Sequence, residues 1–69
     1  MPETVLAMAR RHVAEGRRRV TAQQGRIAEL DRDGHNTIWS RELLATLENS
    51  LRLMSEHLAL EEQELAGRF

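Results

Sequence analysis

Sixty-nine residues, 7.9 kDa, hold at most one small domain, and the absence of cysteine removes the disulfide staple that chains of this size often use. Ten arginines and no lysine stand against eleven acidic residues for a net charge of −1, which excludes a uniformly basic nucleic-acid binder and reads most simply as the usage of a GC-rich genome. With 41% apolar residues, 30% charged and almost no aromatic or β-branched clustering, the chain is expected to be all-α.

The first segment predicts a helix over about residues 3–33. Leu6, Ala9, Val13, Gly16, Val20, Gln23, Ile27 and Leu30 recur in alternating steps of three and four, the spacing of a coiled-coil seam. The longest apolar run, Val5 to Ala9, is far short of the ~18–20 residues of a membrane span. No charged, apolar and cleavable leader pattern is present, so a cytoplasmic bacterial protein without membrane contact is expected. Arg10, Arg11, Arg17, Arg18, Arg19 and Arg26 crowd the same segment against Glu15 alone and form a candidate nucleic-acid face. It has no aromatic residues for base stacking. Glu48, Glu56, Glu61, Glu62 and Glu64 of the second segment are expected to neutralise it across a hairpin, which makes RNA binding the second reading rather than the first.

Between the periodic segments lies a cluster of breakers, Asp31-Arg32-Asp33-Gly34-His35-Asn36-Thr37. It predicts a turn over about 34–37, with Gly34 as a left-handed helix stop and Asn36 or Thr37 as the next N-cap. Asp31 and Asp33 fall at the negative end of the first helix dipole. The expected compensation is Asp33 accepting from free N–H groups of the next helix and Glu42 sitting in that helix's first turn. Residues 31–42 are also similar to a twelve-residue EF-hand loop, with Asp at positions 1 and 3 and Glu at 12. His35 at position 5 is a poor ligand for a hard cation, and Asn36 stands where the sharp turn wants glycine, so calcium binding is only a third reading.

The second segment predicts a helix over about 38–66, with Leu44, Leu47, Leu51, Met54, Leu58, Glu61 and Leu65 on its seam. Facing positions of an antiparallel pair should have residue numbers of constant sum, and Leu6 with Leu65 through Ile27 with Leu44 sum alternately to 71 and 70. This register puts Gly16 opposite Met54, small against large. A second stripe runs along the same helix: Trp39, Leu43, Thr46, Ser50, Leu53, His57 and Leu60. One hairpin arm cannot cover both stripes, and chains below ~70–80 residues seldom build a sufficient core alone. The expected architecture is therefore an antiparallel two-helix hairpin over residues 1–69 that homodimerises into a four-helix bundle through Trp39, Leu43, Leu53 and Leu60, an unknown protein partner being the alternative cover.

His12 and His57 fall on one flank of this register, with Glu61 one turn beyond His57, a set that could hold zinc only if both rings converge. Rings packed along the seam are the simpler expectation, so no metal and no cofactor is assigned. No serine has a matched base and acid, and there is no Cys, Lys or Tyr, which argues against an enzyme.

The stretches Arg11–Gly16, Arg26–Thr37 and Arg41–Glu48, with their Arg-Asp-Gly-His turn and Leu-Leu-Ala-Thr segment, resemble a family of short uncharacterised alphaproteobacterial helical proteins over roughly residues 10–60. The resemblance implies a freestanding helical protein and no particular activity. The function expected from the residues is that of a small non-catalytic interaction or regulatory protein, a self-associating helical hairpin.

Overall fold

Two helices account for nearly all of the residues that the computed structural model describes, 3–67: α1 spans Val5–Arg32 and α2 spans Ile38–Ala66. They pack against each other as an antiparallel hairpin, and no strand occurs among the described residues. The ends of the expected 1–69 domain, residues 1, 2, 68 and 69, lie outside the description.

Each boundary has a local cause. Thr4 is extended (φ −70°, ψ 159°) and its hydroxyl accepts from the Ala7 N–H at 3.0 Å, so α1 begins one residue later, inside the expected limit near residue 3. At the other end Gly34 takes the left-handed conformation, φ +75°. The His35 N–H then reaches the Leu30 carbonyl at 2.9 Å and the Gly34 N–H reaches that of Asp31 at 3.2 Å, the paired bonds of a Schellman stop. Only a glycine adopts that φ without strain, which is why the chain turns here.

The start of α2 meets expectation in part. Of the two expected caps, Thr37 occupies the cap position without a side-chain capping bond, and Asn36 supplies one, its carboxamide oxygen accepting the Ile38 N–H at 2.9 Å; the bond expected of Asp33 is not seen among the described residues. Glu42 lies beyond the first turn, which holds no acidic residue. Asp31 is compensated instead by Arg41, whose guanidinium meets it at 2.7 Å while also donating to the Thr37 hydroxyl at 2.9 Å. An ion pair across the turn thus replaces the expected helix-dipole compensation.

The seam follows the expected stripes. Val13, Gly16 and Ile27 are buried, and Leu6, Ala9, Val20, Gln23, Leu30, Leu44, Leu47, Leu51, Met54, Leu58 and Glu61 are half-buried. Leu65, expected opposite Leu6, is 40% exposed at the open end. A Cβ built on Gly16 would lie 2.9 Å from Met54 Cε and 3.2 Å from Leu51 Cδ1, so the glycine receives two knobs where a one-to-one register gave it Met54 alone. Gln23, expected against Leu47, sends its amide to the Ser40 carbonyl at 2.8 Å, nearer the turn, and so satisfies a polar group inside the seam.

The result is a rod 55 Å long and 13 Å thin. Its radius of gyration is 16.0 Å, against ~11 Å for a globular chain of this length. Val13 and Ile27 are the only large apolar side chains buried among the described residues.

Candidate interaction surface

The second stripe of α2 faces away from α1. Trp39 is 81% exposed and Leu60 65%, Leu43 and Leu53 are about half exposed, and Thr46, Ser50 and His57 lie in the open between them. Thr46 Oγ1 donates to the Glu42 carbonyl at 3.2 Å, so its hydroxyl is already engaged on its own helix.

The structure adds a part that the sequence reading did not include. Val5, Met8 and His12 follow the same three-and-four spacing on the flank of α1 beside this stripe, and with Ala9, Leu53, Met54 and His57 they line an open groove of about 310 Å³ near the free end of the hairpin. Val5 is 65% exposed and Met8 41%. The spacing of residues 5, 8 and 12 carries the signal for this flank, next to the seam positions 6, 9 and 13. The exposed apolar surface is therefore continuous from α2 onto α1 at the open end and confined to α2 near the turn.

His12 and His57 do share that groove, as their flank positions required. His57 Nε2 lies 3.2 Å from Glu61 Oε1. Among the described residues no group of three or more His, Asp or Glu is placed to hold a metal ion. Of the residues similar to an EF-hand loop, Asp31 and Arg32 lie in α1 and residues 38–42 in α2, and the Asp31 carboxylate pairs with Arg41 at 2.7 Å. A twelve-residue loop wrapping a cation needs those ligands to converge on one point.

The arginines are not neutralised as expected. Arg10 is the one member of the cluster that reaches across, to Glu62 at 3.6 Å. Arg11 turns back to Glu3 at 2.9 Å and to Glu15 at 3.2 Å, while Glu56 serves Arg52 at 3.0 Å. Arg17, Arg18, Arg19 and Arg26 are exposed and make no ion pair with the described residues. Register explains this. The bridges Arg10–Glu62 and Asp31–Arg41 share a residue-number sum of 72, and the same spacing sets Arg17 opposite Ser55 and Gln24 opposite Glu48. By the same sum Glu56 falls opposite Gly16, so neither Glu48 nor Glu56 is level with an arginine of the cluster.

Glu3 carries the clearest electrostatic perturbation. Its carboxyl is held below the ordinary carboxylate range, first because Arg11 donates to both oxygens at 2.9–3.3 Å, against a smaller opposing desolvation and with smaller attractions to the charges of Arg11 and His12. A depressed carboxyl favours the folded state at pH above its ordinary value and loses that contribution as pH falls through the lowered one. The Glu3 carboxyl carbon should accordingly titrate below those of the unpaired glutamates in an NMR series, and Arg11→Ala should return it to the common range. A Glu3 titration unmoved by that substitution would contradict the pairing.

The fold and this surface define a class of molecule, a two-helix hairpin with an uncovered apolar face. Comparison with family models, with curated proteins and with solved structures gave no match. No helix among the described residues is long and apolar enough to cross a membrane.

Proposed function

We propose that the chain is a small, non-catalytic interaction protein of the bacterial cytoplasm that acts as a homodimer, two hairpins closing a four-helix bundle through the second face of α2. The observation that carries this reading is the imbalance between Val13 and Ile27, buried, and Trp39, Leu43, Leu53, Leu60, Val5 and Met8, exposed on one continuous side. Solvent gains nothing from such a row, and each leucine taken out of water stabilises by ~1.5–3 kcal/mol. A helix apolar on two sides is stable when covered on two sides. The resemblance to short alphaproteobacterial helical proteins adds no activity to this reading.

If folding and association are one event, stability depends on protomer concentration. Circular dichroism melts over a hundredfold concentration range should show a midpoint that rises with concentration. A midpoint independent of concentration would remove the proposal.

The free guanidinium groups of Arg17, Arg18, Arg19 and Arg26 favour nucleic acid as the second reading. With a net charge of −1 and no stacking aromatic on α1, RNA should bind no tighter than the non-specific range of roughly 10⁻⁴–10⁻⁶ M at physiological salt. Nanomolar gel shifts lost on replacing Arg17 and Arg18 would make the second reading the first.

A further inference from the structure

The exposed face has a shape as well as a polarity, and the shape selects one way for two copies to meet. Along α2 the stripe is bulky toward the turn, at Trp39 and Leu43, small in the middle, at Thr46 and Ser50, and concave at the open end, where Val5 and Met8 of α1 and Leu53 and His57 of α2 wall the 310 Å³ groove. Trp39 projects at 81% exposure and lies roughly 21 Å along the helix from Leu53, so it cannot fill the groove of its own hairpin.

We infer that the dimer is antiparallel, with α2 of one copy running against α2 of the other and each Trp39 seated in the other copy's open-end groove; this rests on the self-association proposed above. A parallel dimer would set Trp39 against Trp39 near the turns and leave groove facing groove, bulk meeting bulk and hollow meeting hollow. The antiparallel arrangement puts each protrusion into a hollow, as close packing requires.

The register carries through the stripe from Trp39 to His57, whose steps of four and three read the same in both directions. Setting Trp39 level with the partner's His57 sets Leu43 level with Leu53, and both pairs place the two-fold axis midway between Thr46 and Ser50. Those are the two small side chains of the stripe, placed where helices crossing at a two-fold approach most closely. Thr46 enters without a hydroxyl left unpaired, since it already donates to Glu42. Glu42 of one copy approaches Glu56 of the other at the rim, where Arg52 already holds Glu56 at 3.0 Å. An aromatic buries ~150–250 Å² when fully covered, and the symmetry supplies that burial twice.

The native chain has no cysteine, so single cysteines report the arrangement directly. Leu43→Cys and Leu53→Cys would be oxidised separately and as an equimolar mixture, after sedimentation of the reduced proteins establishes their mass. Thr46→Cys and Ser50→Cys form a second, nearly isosteric pair in case losing a leucine weakens association. The expected result is a disulfide dimer from the Leu43 and Leu53 mixture that exceeds either variant alone by tenfold or more, because the level pairs are hetero pairs and like positions are offset by ~15 Å along the axis, beyond the ~7 Å reach of a disulfide; the Thr46 and Ser50 mixture should also exceed its single variants, by a smaller factor, since like positions there are offset by only ~6 Å. Dimers in which each variant links to itself would establish the parallel arrangement and overturn this inference while leaving self-association intact. Dimers that link in neither way would also overturn it, by moving the interface. A reduced parent that sediments as a monomer would overturn the underlying proposal and this arrangement together.

Discussion

Leu53→Glu combined with Leu60→Glu should convert the dimer into a monomer and much of that monomer into unfolded chain. Both leucines are more than half exposed in the single hairpin, at 51% and 65%, so the substitution removes little packing within one copy, and the part it removes is that of Leu53 along the groove. A large effect on folding should then arise chiefly through a second copy, and Leu60→Glu alone, at the more exposed position, separates it from any local effect at the groove. Burial of each leucine contributes ~1.5–3 kcal/mol, and a two-fold axis presents each residue twice. Placing four carboxylates in a desolvated interface adds a cost that the native acids cannot offset. Size exclusion with light scattering should show the mass halved, and circular dichroism should show helix lost at concentrations where the parent is fully helical. A double variant that stays dimeric and helical would place the interface on α1.

Gly16→Leu addresses the other face. The glycine is buried, and a Cβ there already meets Met54 Cε at 2.9 Å and Leu51 Cδ1 at 3.2 Å. The tip of Met54 can yield; a whole isobutyl group cannot be admitted without parting the helices. Overpacking of this kind costs ~1–3 kcal/mol, which the gain of ~1 kcal/mol in helix propensity over glycine does not recover at the upper end. Thermal melts at one fixed concentration should show the variant less stable than the parent. A more stable variant would mean that the seam does not close at Gly16. Gly25, with nothing within 4 Å of a built Cβ, is the control: Gly25→Ala should gain stability from propensity alone.

The periodicity made the fold legible because a hairpin is specified by repetition. The three-and-four spacing gave both seams, and Gly34 gave the turn through a conformation that other residues resist. What escaped the sequence depends on where side chains end. Asn36 and Thr37 were both legible as caps, but the choice between them is one of reach: the Asn36 carboxamide meets the Ile38 N–H two residues on, while the Thr37 hydroxyl is taken by Arg41. Charge pairing turns on register rather than on the number of acids on the facing helix: the sum of 72 sets Arg17 opposite Ser55, and Glu48 lies two turns, ~10.5 Å, nearer the turn. The groove formed by Val5 and Met8 was invisible to a reading that assigned each helix one stripe at a time, since it exists only where the flank of α1 joins the stripe of α2.

One copy of this chain should not hold its fold alone, and sedimentation equilibrium of the unaltered protein is the direct check. The account predicts a species of twice 7.9 kDa at micromolar concentration, dissociating on dilution with loss of helix. A folded, helical species of 7.9 kDa at every concentration would contradict it.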